Sequence, residues 1–320
     1  MAIASRTAPP DRSVAFFRRL GFREALDGWL FALPAMLGFI IFAAGPVLAS
    51  LYLSFTEYNI VKPPHFVGPA NYISLLTNDP QMRQSLLSTL YYASLTIPLS
   101  LLLSLLVALL LNQPVRGVAL YRTLWYLPVL VPAVATGTLW RWALNTDFGL
   151  VNWPLKLLGI PAPGWLTDPK YTVPSLVVIS LWGVGGTVLI LLAGLQGVPQ
   201  SLLEAAEIDG AGAVARFRHV TLPMLSPVIF FNLVLGLIGA LQVFTIVYVI
   251  WTPTGGGATA GPEDAGLFFV LYLYRVGFEN FQMGYASALA WILFLLIMIC
   301  TGILFRYQRR WVYYEGGRAR

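Results

Sequence analysis

The sequence predicts an all-α, polytopic membrane protein with six transmembrane helices. Three observations carry that prediction. The 320 residues are 58% hydrophobic and only 11% charged, where soluble domains carry about 25% charged residues, and the mean hydropathy is +0.73. Apolar residues gather in six runs, each close to the roughly 20 residues that cross a bilayer. The acidic and basic residues lie between those runs and not inside them.

The first run, Trp29–Phe55, follows a mixed segment, residues 1–28. No small-residue cleavage site follows a short apolar core there, so the run is expected to remain as an anchor helix. Residues 56–85 form an external loop. Residues 86–305 form the core, with five further spans: Leu86–Leu111, Thr123–Trp140, Val173–Leu195, Leu222–Trp251 and Tyr285–Phe305. The third of the six is short and broken by Pro128 and Pro132, which membrane helices tolerate where neighbours satisfy the freed carbonyls. Residues 306–320 are a tail. Between the third and fourth spans, Phe148–Pro169 is apolar enough to lie along the interface or re-enter, with Trp153 and Trp165 as anchors at headgroup depth. Gly255, Gly256 and Gly257 read as a flexible outer turn. The single cysteine, Cys300, allows no intrachain disulfide and reads as a small packing residue.

Only three of the twenty basic residues are lysines: Lys62, Lys156 and Lys170. Arg6, Arg12, Arg18, Arg19 and Arg23 precede the first span. Arg116 and Arg122 lie between the second and third, and Arg216 and Arg218 between the fourth and fifth. Arg306, Arg309, Arg310, Arg318 and Arg320 follow the sixth. Basic residues favour cytoplasmic loops, so both termini and the loop 201–223 are expected inside the cell. The net charge of +6 therefore belongs to membrane edges and does not indicate a nucleic-acid partner.

No Asp, Glu, Lys, Arg or His lies between Lys170 and Glu204, or between His219 and Glu263. Ion-coupled carriers usually place such a group within the membrane. Broken helices can bind sodium through backbone carbonyls, so a stand-alone carrier or channel is disfavoured and not excluded. His65 and His219 fall on opposite sides of the membrane, and no Asp/Glu/His cluster supports an enzyme. Neither a metal nor a cofactor is expected. The phosphate-loop pattern G-x-x-x-x-G-K-[ST] is missing as well, so an energy source must belong to another subunit.

That subunit needs an inside surface to press on. The loop Glu204–Pro223 reads EAAEIDGAGAVARFRHVTLP. Ser201 and Glu204 have capping-box spacing, so a helix over Ser201–Ile208 is expected, with Leu202, Ala205 and Ala206 near one side and Glu204 and Glu207 exposed. Gly210 permits a left-handed turn. A second short helix, Ala213–His219, with His219 as a cation at its C-terminal end, is expected to stop at Leu222-Pro223. A plain amphipathic connector would fit this composition equally well.

The spacing resembles the EAA motif of binding-protein-dependent ABC importer permeases: Glu204-Ala205-Ala206, three residues, Gly210, nine residues, Val220, one residue, Leu222-Pro223. Valine replaces the commonest isoleucine. Further stretches resemble the sugar-importer permeases of maltose and glycerol-3-phosphate type, in particular the first of their two permease subunits. These are Phe66-Val67-Gly68-Pro69-Ala70-Asn71-Tyr72, Gly149-Leu150-Val151-Asn152, Phe281–Ala288 and Arg309–Glu315. The resemblance implies the type I ABC importer permease fold. Its implied partners are a second permease subunit, a cytosolic ATPase dimer, an extracytoplasmic solute-binding protein, a carbohydrate substrate and membrane lipid. It assigns Glu204, Ala205, Ala206, Asp209, Gly210, Leu222 and Pro223 to the ATPase-coupling loop.

The same fold carries solute between two permease subunits. Candidate contacts are therefore the polar, small and aromatic residues of the fourth and fifth spans: Ser180, Trp182, Asn232, Gly236, Gly239, Gln242, Thr245 and Tyr248. Asn232, Gly236, Gly239 and Gln242 recur close to one helical face. Small residues at such spacing also serve helix packing. Maltose-type relatives carry asparagines near Gln242 where this chain has Ala240 and Val243, so their binding set does not transfer.

Overall fold

The computed structural model describes residues 12–252 and 257–313; Gly255 and Gly256 of the expected outer turn lie outside them. Two compact units meet between Leu53 and Ser54.

The first unit is helical. α1 (Arg12–Phe39) passes through a π-turn, Ile40–Ala44, into α2 (Gly45–Ser54). The π-turn has a local cause. Pro46 has no N–H and its ring crowds the carbonyl four residues back. The helix widens, and Gly45 N–H bonds the Ile40 carbonyl five residues back. Glu24–Ser54 is long and apolar enough to span a membrane.

The second unit begins with a two-stranded antiparallel pair, β1 (Thr56–Glu57) and β2 (His65–Phe66), and then α3 (Ala70–Thr77). α4 (Pro80–Leu111) starts several residues before the expected Leu86. Asp79 caps it, accepting from Met82 N–H at 2.9 Å, and Pro80 fills the first turn. The third span is two helices, α5 (Val118–Tyr126), extended by a 3₁₀ turn, Leu127–Leu130, and α6 (Ala133–Ala143), bent by 98°. Val131 is extended because a residue before proline avoids the helical region. A short α7 (Asn152–Leu157) follows. The fourth span is also broken, into α8 (Pro169–Trp182) and α9 (Gly185–Gln196), bent by 50°. At the break, a Cβ on Gly185 would sit 2.1 Å from the Trp125 carbonyl oxygen. Only glycine lets the end of α5 come that close.

α10 (Gln200–Ile208), α11 (Ala213–Arg216), α12 (Leu222–Leu241) and α13 (Thr245–Trp251) follow. Residues 257–282, between the fifth and sixth spans, are packed. α14 (Phe269–Tyr274) lies there, and Leu267, Phe268, Phe269 and Leu271 are fully buried. Six residues are too few to span a membrane, so the run escaped notice as an element. α15 (Met283–Gln308) is the last span. Counting each bent pair as one span gives six.

Two hydrophobic clusters hold this unit together. One joins the first half of α4 to α8, α13, α14 and the first half of α15. The other joins the second half of α4 to α9 and the start of α12.

The short motifs lock the loops. Asn71 Nδ2 donates to the Ser54 and Thr56 carbonyls at 2.9 and 3.0 Å, and Tyr72 OH donates to Ser54 Oγ at 2.7 Å. Asn152 is 1% exposed and takes the Trp165 indole N–H at 2.8 Å. That bond, with ring contact to Tyr171, makes Trp165 a lock of this loop. A Cβ on Gly284 would lie 2.0 Å from the Thr56 carbonyl oxygen.

Candidate functional site

The loop between α9 and α12 is a rigid knob. Pro199 caps α10 with an extended backbone (φ −59°, ψ 125°), and no side chain caps the helix. The expected capping box is therefore not formed. Pro199 fixes the start at Gln200, which puts Ser201 one residue inside the helix, where its hydroxyl cannot act as the cap. The inward face carries half-buried Leu203 and Ala206, while Leu202 and Ala205 are exposed. At the C-terminal end Gly210 is left-handed, φ +82°. Its N–H bonds the Glu207 carbonyl at 3.0 Å, and Ala211 N–H reaches the Ala206 carbonyl at 2.9 Å. These two bonds are a Schellman closure.

The expected stop at Leu222-Pro223 does not occur. α11 runs through a π-turn, Phe217–Thr221, straight into α12, so Ala213–Trp251 reads as one long, broken span. Pro223 cannot donate to the fourth carbonyl back, and the i→i−5 bond of Leu222 to Phe217 gives the ring room. His219 consequently lies inside a helix, with Nδ1 3.0 Å from the Ala215 carbonyl. Glu207 is ion-paired with Arg216, tying α10 to α11. Glu204, Ala205, Asp209 and Gly210 are exposed. Two apolar side chains missed in the sequence stand beside them, Ile208 at 86% and Val214 at 79% exposure. A stapled tip with free acids and bare aliphatics suits a partner's groove, since buried apolar anchors carry much of an interface's energy.

The candidate path residues divide. Ser180 bonds Tyr92 Oη at 2.5 Å and the Leu176 carbonyl at 2.8 Å. Asn232 is buried and donates back to the Val228 carbonyl in its own helix. Both serve packing. Gly236 and Gly239 differ, because a Cβ on either would meet nothing within 4 Å. Gln242 and Thr245 are exposed and flank a break in the fifth span, residues 242–244, between α12 and α13. Unwound backbone at membrane depth is tolerated where protein or a water-filled cavity meets it. Tyr248 packs with Phe244 and Tyr274, each at 5.4 Å. Trp182 meets Trp140 edge-on at 6.0 Å.

Trp140 was missed because it ends the weakest run. α6 lies along α13, with the Gly137 Cβ position 2.8 Å from Val249 Cγ1. The Trp140 indole N–H is buried with no hydrogen-bond partner among the described residues.

Residues 70–313 match the family described as binding-protein-dependent transport system inner membrane component, and the chain belongs to that family. Over 295 residues (92% of this chain, 94% of the relative) it is 41% identical to the probable ABC transporter permease protein YesP of Bacillus subtilis (strain 168). It is 33% identical over 293 residues (91% and 96%) to the trehalose/maltose transport system permease protein MalF of Thermococcus litoralis. It is 34% identical over 298 residues (92% and 98%) to the sn-glycerol-3-phosphate transport system permease protein UgpA of Pectobacterium atrosepticum. A bacterial alginate ABC transporter, solved with its alginate pentasaccharide-bound periplasmic protein, superposes with a TM-score of 0.78 at 21% identity, covering 91% of this chain and 96% of that one. The fold is the type I importer permease fold, and the stand-alone carrier reading is not favoured.

Proposed function

We propose that the chain forms half of the translocation path of an ATP-driven importer for a carbohydrate or carbohydrate derivative. Its core is residues 86–305, preceded by the anchor helix of residues 29–55. Both termini and the α10–α11 knob face the cytoplasm, a reading that the arginine distribution supports. A second permease subunit completes the path, an extracytoplasmic receptor delivers the solute, and a separate ATPase dimer drives the cycle.

The observation that carries this reading is the knob. It is closed by a left-handed glycine, braced by Glu207 and Arg216, and tipped by Ile208, Val214 and exposed acids. Such a body passes on a push without deforming. Glu204 meets a basic or backbone-donor site on the ATPase, and Gly210 allows close approach. Leu222 and Pro223 join the knob to the fifth span, and so to its break at residues 242–244.

The carbohydrate class rests on the named relatives and on two aromatic groups of these spans, Phe244 with Tyr248 and Tyr274 beside the break at residues 242–244, and Trp140 with Trp182. Sugar sites combine apolar walls with a few polar contacts, here Gln242 and Thr245 at the break, with the unpartnered Trp140 N–H as a separate candidate. The test is uptake by the assembled complex. Glu204→Lys and Gly210→Asp should abolish uptake or separate it from ATP hydrolysis. Wild-type uptake in both variants would refute the coupling role.

A further inference from the structure

We propose that the C-terminal tail is a strut of the coupling device, with Trp311 and Ser226 as positioning residues. The proposal rests on the knob being the ATPase contact. α15 does not simply end at the membrane edge. Trp311 and Val312 N–H bond back to the Gln308 carbonyl at 3.1 and 2.9 Å, which turns the chain over. The turn lays the tail along the first three turns of α12. Phe230, 6% exposed, takes Trp311 edge-on at 6.0 Å and Phe305 at 5.2 Å. Tyr313 N–H donates to Ser226 Oγ at 2.9 Å, and the same hydroxyl donates to the Pro223 carbonyl at 2.6 Å. Ser226 is 4% exposed, so this relay is shielded from water.

The tail therefore grips Pro223, the residue through which the knob enters the fifth span. It also walls the socket beneath the knob. A cavity of about 280 Å³ is lined by Leu202 of α10, His219 and Val220 of the π-turn, Pro223 and Met224 of α12, and Tyr313 of the tail. The coupling helix, the entrance to the fifth span and the end of the sixth thus share one socket. A push on α10 meets the tail, and the edge-on contacts Trp311–Phe230 and Phe230–Phe305 pass it to α15. Aromatic pairs of this geometry add to what burial alone supplies, enough to hold a preferred position and little enough to be released in a cycle.

The test uses the complete transporter, purified through a tag on this chain and given MgATP with and without its solute-binding protein. Trp311→Ala should leave the amount of co-purifying ATPase unchanged while cutting receptor stimulation of ATP hydrolysis by about fivefold or more, the low end of ordinary coupling energies. Trp311→Phe should restore stimulation, because it keeps the ring contact. Ser226→Ala should act in the same direction, more weakly. A spin label at Ile208→Cys, in a Cys300→Ala background, should gain mobility in Trp311→Ala and not in Trp311→Phe. Normal stimulation in Trp311→Ala and Ser226→Ala overturns the proposal. So does a fall that tracks lost ATPase, which marks a folding defect. If the wild-type chain retains no ATPase, the parent reading fails and the strut fails with it.

Discussion

Gly210 and Gly212 form a matched pair within the knob, and their contrast isolates what the left-handed closure contributes. A Cβ on either would find no atom within 4 Å, so neither substitution to alanine creates a clash in the chain. Their backbones differ. Gly210 has φ +82°, where an L-residue costs roughly 1–2 kcal/mol. Gly212 has φ −67° and ψ 170°, which any residue adopts. Gly210→Ala should therefore weaken binding of purified ATPase to nanodisc-embedded transporter by roughly five- to thirtyfold, the factor that 1–2 kcal/mol supplies. Gly212→Ala should change it by less than about twofold, within the usual ±0.5 kcal/mol of surface substitutions. Gly210→Asn separates two causes. Asparagine tolerates the left-handed region, so it should fall between glycine and alanine if torsion dominates. If the partner instead approaches Gly210 closely, asparagine should be worse than alanine. Equal affinities for the Gly210→Ala and Gly212→Ala proteins would refute the torsional reasoning.

Three further outcomes follow from the geometry. Gly284→Ala forces a Cβ to within 2.0 Å of the Thr56 carbonyl and should cost at least the roughly 1–3 kcal/mol of overpacking, visible as a lower melting temperature in detergent, whereas Gly236→Ala, which meets open space, should melt like wild type. The Tyr272 phenol is raised above its ordinary value by burial first and then by its bond to Asp79; a free phenol titrates near 10, so its stabilisation is complete below that pH and declines above it, and Tyr272→Phe should flatten the alkaline arm of a stability–pH curve. Trp140→Phe keeps the ring against Trp182 and removes the unpartnered N–H; it should reduce uptake and leave basal ATP hydrolysis and thermal stability near wild type, and equal uptake would remove Trp140 from the path.

Composition and run length made the membrane bundle legible, and Pro128 and Pro132 marked the sharp bend in the third span. The bend at Gly183 and the break at residues 242–244 carried no such mark. The first depends on which backbone packs beside it, as Trp125 does at Gly185. α14 stayed hidden because the uncharged run between Asp264 and Arg275 is too short to cross a membrane and looks like loop. The knob was legible in place and in its glycine turn. Its cap was misread because an S-x-x-E spacing does not reveal that Pro199 has already started the helix. The polarity of Asn232 and Ser180 suggested solute contact, yet each is occupied within the bundle. Trp140 was overlooked for the opposite reason. An indole gives no sequence signal of an unmet donor, and only packing shows it.

The most direct test of the coupling claim is a cross-link from the knob. Ile208→Cys in a Cys300→Ala background, treated in sealed inside-out vesicles with a short thiol-to-amine reagent, should join this chain to the ATPase subunit, and adding MgATP with vanadate should change the yield. A cysteine at 208 that reacts with impermeant reagent only from the outside of whole cells, or that never joins an ATPase in the assembled transporter, would contradict the account.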